Sequence, residues 1–129
     1  MILVDTSVWI AYFRASDRHL TAHLQVLFEE DQVALAVPVK IEILCGSPAK
    51  EWTRLRRVLE ALPLIIPSNS TWERMEGWIE KTISKGERFG MADLLIAALA
   101  VDWGASLWSL DRDFARMQKL GFVQLHTPS

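Results

Sequence analysis

GMADLLIAALA, residues 90–100, holds one charged side chain, Asp93, and from Leu94 to Val101 no residue is polar. A helix that is apolar on every side is a buried helix. A carboxylate at the end of such a helix needs a reason, because burying an unpaired charge costs several kcal/mol. The helix dipole supplies part of one, favouring a first-turn acid by ~0.3–1 kcal/mol. The rest of the chain shows what the helix is buried against and what else the acid serves.

Working outward, short continuous apolar runs occur at ILVD (2–5), VALAV (33–37), LPLIIP (62–67), SLWSL (106–110) and FVQLH (122–126). They read as strands buried on both faces rather than as half-exposed ones. Helical patterns lie between them: TSVWIAYFR (6–14), a segment over 16–31 with Leu20, Leu24, Leu27 and Phe28 at helical spacing, PVKIEILCG (38–46), an amphipathic segment over 49–62, another over 68–86, and a short helix over 111–120. Pro38 suits a first helical turn, and Thr6, Ser7, Ser16 and Asp17 suit caps. Alternating strands and helices predict an α/β fold: three α/β/α layers around a short parallel sheet. In such sheets the crevice lies outside the carboxyl ends of the strands.

The chain has 129 residues, of which 23% are charged and half are apolar, which fits one domain over 1–129 with a real core. No apolar run approaches the roughly 18 residues of a membrane span. The start, MILVDTSVWI, lacks the basic region and cleavage site of a signal peptide. A single cysteine, Cys45, excludes an internal disulfide framework. These features predict a soluble, cytoplasmic protein with no membrane association. The net charge of −2 argues against a simple basic nucleic-acid binder. It leaves open an enzyme whose acids carry cations, since bound metal reverses the local charge.

The acids fall in a pattern. Asp5 ends the first strand, Glu42 lies on the helix after the second, Asp93 starts the apolar helix, and Asp111 and Asp113 follow SLWSL. Each alone has an ordinary reading as a cap, a turn residue or a solvated stripe. Together they sit at or beside strand ends, where a doubly wound sheet brings them to one crevice. Converging carboxylates raise one another's pKa unless a cation neutralises them. An all-oxygen site suits Mg²⁺ or Mn²⁺. Such ions activate water and stabilise a transferring phosphoryl group, so the chemistry indicated is phosphate-ester hydrolysis.

ILVDTSVWI, Glu42 in IEIL, MADLLIAALA and SLWSLDRDF, taken together and in this order, resemble the PIN-domain endoribonucleases of the VapC toxin type. The resemblance runs from Ile2 to about Leu125. It implies a metal-dependent ribonuclease acting on RNA, with Asp5, Glu42, Asp93 and either Asp111 or Asp113 as its acids. It implies that Thr6, Ser7 and Ser109 orient a carboxylate or a water. It also implies a homodimer and a cognate antitoxin protein, whose C-terminal segment lies in a groove and inhibits the enzyme. A haloacid dehalogenase-like phosphatase is the alternative, but Ser7 stands where its second Asp belongs and Asp111 where its lysine is sought. A non-catalytic PIN-like interaction module is a third reading; the loss of acids that would mark it is not seen.

Other features read as structural. His19 and His23 are four apart, as in a zinc site. They lack a third ligand and read as solvent-facing or partly buried. Cys45 reads as a small core or groove residue, and Asp102 as a surface residue. Arg54, Arg56 and Arg57 read as a solvated face. Lys81, Lys85 and Arg88 precede the Asp93 helix directly and are better placed to hold an RNA backbone. Trp72, Met75 and Trp78 read as core or dimer face.

Overall fold

The computed structural model describes residues 1–128. The chain runs β1 (Ile2–Val4), α1 (Thr6–Phe13), α2 (Arg18–Glu29), β2 (Val33–Ala36), α3 (Val37–Gly46), α4 (Trp52–Glu60), β3 (Leu64–Ile65), α5 (Asn69–Ser84), α6 (Met91–Asp102), β4 (Ser106–Trp108) and α7 (Arg112–Lys119). The four strands form one parallel sheet in the order β3-β2-β1-β4. Leu3 pairs with Ala34 on one side and with Leu107 on the other. The chain therefore winds from β1 outward to β3, then returns to lay β4 against the opposite side of β1. The direction of winding reverses between β1 and β4, and an open α/β sheet places its crevice beyond the carboxyl ends of the strands at that point.

The sheet is short because its strands are bounded by helix starts. Asp5 ends β1 and caps α1 in the same step, and β2 passes into α3 without a loop, with Pro38 in the first turn. Helices flank the sheet, and the core they share includes Leu3, Val4, Leu35, Ile96, Leu99 and Leu107, none more than 1% exposed. Trp9 is fully buried, and its indole N–H donates to the Val4 carbonyl at 3.2 Å, which satisfies its polar atom inside the core. In α6, Ile96 through Ala100 are all buried, as its apolar run requires.

Three segments differ from their sequence reading. The helix expected over 49–62 is broken: Ala49–Glu51 form a 3₁₀ turn after Pro48, and α4 begins at Trp52. The expected strand FVQLH is one parallel bridge, Leu107 to Leu125. The outward Leu125 N–H is taken at 2.8 Å by the Gln118 side chain of α7, which draws this segment toward that helix. Asp102 is not a surface residue. Its side chain is only 14% exposed, accepts from the Thr71 hydroxyl, and accepts from Arg74 Nε at 3.1 Å, tying the end of α6 to α5.

Candidate active site

Asp5 is the centre of the crevice and is 5% exposed. Its Oδ2 accepts from Ser109 Oγ at 2.7 Å, from Ser7 Oγ at 2.8 Å and, more loosely, from the Ser7 N–H at 3.5 Å. Among the described residues none donates to Oδ1. The two serines carry the network onward. Ser7 Oγ accepts from the Leu110 N–H and Ser109 Oγ from the Asp111 N–H, each at 3.0 Å. Asp111 then caps α7, its Oδ1 accepting from the Asp113 N–H at 2.9 Å. This chain of bonds sets the carboxyl ends of β1 and β4 and the start of α7 at a fixed separation.

Asp93 lies in the first turn of α6, behind Gly90 as the cap residue. One carboxylate oxygen each from Asp93, Asp111 and Asp113 lies within 4.8 Å of the others. Burial and then the charges of Asp111, Asp5, Asp113 and Glu42 push the Asp93 carboxyl up to about 6. Glu42 is also raised, first by burial and then by Asp5, with the Thr6 hydroxyl opposing. Its residue as a whole lies at the surface, on the rim between two grooves. The structure thus brings Asp5, Glu42, Asp93, Asp111 and Asp113 into one electrostatic neighbourhood, from four helices.

These residues fit a divalent cation. Oxygens on opposite sides of a Mg²⁺ lie ~4.2 Å apart, which the three clustered carboxylates accommodate. Thr6 Oγ1 is buried and, among the described residues, completes no well-formed hydrogen bond, which leaves a polar atom beside Glu42 to be satisfied. The donor set is all oxygen, as a hard cation requires.

Arg116 was not among the residues singled out from sequence. It donates from Nη1 to Asp113 Oδ1 at 2.9 Å, pairs through Nη2 with Glu87, and lies over the Phe89 ring at 4.4 Å. The signal available was its spacing of three from Asp113 on a helix. Lys81, Lys85 and Arg88 are exposed, and the Arg88 carbonyl accepts from Arg116 Nη2 at 3.3 Å.

The remaining features fall elsewhere. His19 is exposed, whereas His23 meets His126 with Nε2 atoms 2.7 Å apart, beside Trp108. Cys45 is exposed rather than in the core. Arg54 and Arg56 pair with Glu51 and Glu60 on the α4 surface. Trp78 is buried against Phe122, while Trp72 is 41% exposed and lines an apolar groove with Ile41 and Leu95. A second cleft, of about 490 Å³, runs between α1, α3 and α4 from Phe13, Arg14 and Arg54 to Glu42. Among the described residues no helix is long and apolar enough to cross a membrane.

Known proteins match this sequence and its fold. The PIN domain family model fits residues 2–120. Ribonuclease VapC11 of Mycobacterium tuberculosis and a VapC ribonuclease of Mycobacterium bovis are each 34% identical over 129 residues, covering 96% of this chain and 96% of the relative. The structure of VapBC2 from Rickettsia felis shares the fold, with a TM-score of 0.81 over 98% of both chains at 22% identity. Matched over nearly its whole length, and with the acids at the switch point of its sheet, the chain belongs to the PIN-domain family, among the VapC ribonucleases.

Proposed function

We propose that this protein is a Mg²⁺-dependent endoribonuclease and the toxin of a toxin–antitoxin pair, acting in the cytoplasm as a single domain over residues 1–129. The observation that carries the reading is the convergence of the acids: one oxygen each from Asp93, Asp111 and Asp113 lies within 4.8 Å of the others, and burial, then the charges of Asp111, Asp5, Asp113 and Glu42, push Asp93 up to about 6. A protein with no use for that repulsion gains by losing it. The VapC ribonucleases that are 34% identical support RNA as substrate.

In this reading Asp5 and Asp93, with Asp111 and Asp113, hold the cation, Mn²⁺ substituting for Mg²⁺. When bound, Mg²⁺ neutralises phosphate charge and lowers the pKa of water at the site. Asp5 presents its free Oδ1 to the crevice while Ser7 and Ser109 hold Oδ2. Glu42, whose raised pKa makes it a better base, accepts a proton from the attacking water. Water oxygen bonds to phosphorus as the bond to the 3′ oxygen breaks, and that oxygen takes up a proton. The products are 5′-phosphate and 3′-hydroxyl ends. Lys81, Lys85 and Arg88 approach the RNA backbone from the segment before α6.

The chain acts as a homodimer, and its cognate antitoxin places a C-terminal segment in the cleft that ends at Glu42. The fold shared with VapBC2 supports such a partner. The test is RNA cleavage with Mg²⁺ and with EDTA, beside Asp93→Asn. Cleavage should require both metal and the carboxylate; cleavage that persists without them overturns the mechanism. Release of phosphate from a monophosphate ester, without RNA cleavage, would favour a phosphatase instead.

A further inference from the structure

We infer that Arg116 is a positioning residue for the metal-holding acids, acting through Asp113 and not touching metal or RNA itself; this rests on the metal-dependent reading above. The guanidinium occupies a junction. Nη1 holds Asp113 Oδ1 at 2.9 Å, leaving the other carboxylate oxygen available. Nη2 meets the Glu87 carboxylate and lies 3.3 Å from the Arg88 carbonyl, and the plane sits 4.4 Å from the Phe89 ring.

Two elements of the site are joined by this one side chain. Asp113 belongs to the first turn of α7, and Glu87 to Phe89 lead directly into the first turn of α6 with Asp93. The approach of that segment is itself defined. Gly86 takes φ +71, and the Glu87 N–H returns to the Thr82 carbonyl at 2.8 Å, a glycine-ended helix stop. Arg116 thus fixes the rotamer of Asp113, while the Glu87 carboxylate, the Arg88 carbonyl and the Phe89 ring together anchor the guanidinium itself. A planar fork suits this role and a lysine does not, because only the fork fixes direction at two carboxylates at once.

Carboxylates that hold a metal are oriented by the groups that hydrogen-bond them, and removing those groups lowers metal affinity ~10–100-fold. The opposite effect is also physical: deleting a positive charge beside an acid cluster should tighten cation binding by Coulomb attraction. The arrangement decides between them, since the guanidinium is spent on two carboxylates, a carbonyl and a ring, a distribution suited to orientation.

The experiment is Mg²⁺ titration, followed by calorimetry, of the full chain and its variants without RNA. Arg116→Ala and Arg116→Lys should each weaken binding by about 10-fold. In an Asp113→Asn background Arg116→Ala should add nothing further. Glu87→Ala, which removes one arm and leaves the Asp113 arm, should leave affinity within about twofold, below the outer-shell effect. Equal or tighter binding by Arg116→Ala overturns the inference, as does full recovery by Arg116→Lys or a loss in Glu87→Ala as large as in Arg116→Ala. A wild-type chain that takes up no Mg²⁺ overturns the metal reading beneath it, a result separate from the variants.

Discussion

Ser109 Oγ donates to Asp5 Oδ2 at 2.7 Å, joining two residues 104 apart in sequence. The bond closes the crevice between the ends of β1 and β4, and Ser7 reinforces it, its hydroxyl 3.2 Å from that of Ser109. Ser109→Ala removes a charge-assisted bond to a buried carboxylate and leaves the exposed Asp111 N–H to water. It should lower stability by about 1.5–3 kcal/mol. Urea unfolding of Ser109→Ala, Ser7→Ala and the double variant measures this. The double variant should deviate from additivity, as contacting residues do, by at least ~0.5 kcal/mol. Additive losses would show that the two hydroxyls act independently.

Asp93 gives the metal-free protein an acid-favoured stability. Its folded pKa, about 6, lies above its ordinary 3.8, so the folded state binds the extra proton between those values. Stability is therefore fully present below about 3.8 and is lost as pH rises through 6. After discount for solvent screening the loss is of order 1 kcal/mol. Thermal unfolding in EDTA across this range should show it, and Asp93→Asn should flatten the profile. Mg²⁺ added at pH 6 should release protons, because ligation needs the ionised carboxylate. A profile unchanged by Asp93→Asn would remove this acid from the titration.

Beside His23, His126 carries the opposite sign. Their rings are parallel within 15° and meet tip to tip, Nε2 to Nε2 at 2.7 Å, so one ring donates and the other accepts. Two protonated rings cannot share that contact. Burial, then His23, hold the His126 imidazole below its ordinary 6.5. Stability from this group is present above 6.5 and is lost as pH falls through the lower folded value. Asp17 and His19 line the cleft that His126 also lines. Hydrogen exchange should report the release: the His126 amide, bonded to the Leu107 carbonyl at 2.8 Å, should lose protection in mild acid. His126→Gln should remove that pH dependence, and protection that in the wild type stays level as pH falls below 6.5 to the onset of global unfolding would refute the coupling.

Asp102 should matter to stability rather than to cleavage. Thr71 is fully buried, accepts from the Ser68 N–H at 3.0 Å and donates to Asp102, so the carboxylate completes the capping of α5. Asp102→Ala leaves the Thr71 hydroxyl and Arg74 without their acceptor, at a cost of about 1–3 kcal/mol. Denaturant unfolding checks the loss. Mg²⁺ affinity should stay at the wild-type level, and its collapse would mean that α5 communicates with the acids.

Asp5, Asp93 and Asp111 are legible in the sequence because each sits at a boundary the local pattern marks, whereas Glu42 stands out as a lone acid among apolar residues inside α3. An apolar run ends at Asp5, another begins after Asp93, and SLWSL stops short of Asp111. Parallel-sheet geometry then brings such boundaries to one side. What sequence leaves unread depends on partners far along the chain. Asp102 looks like a helix-end surface acid until Thr71, 31 residues earlier, is placed against it. His126 has no meaning without His23, and Arg116 none without the turn that delivers Glu87. The strand reading of FVQLH fails for a similar reason: its apolar content is real, but Phe122 is drawn onto Trp78 and Leu125 onto Gln118. Periodicity reports burial and not the partner that provides it.

The order of elements along the chain also sets a schedule for synthesis. Every residue lining the cleft between α1, α3 and α4 has been translated by Leu55, whereas the acid set waits for Asp113. A growing chain on the ribosome therefore carries the residues of this cleft well before it carries the full set of acids. Under the function proposed above, an inhibitory partner that seats in this cleft would find its contact residues made before the acids are complete.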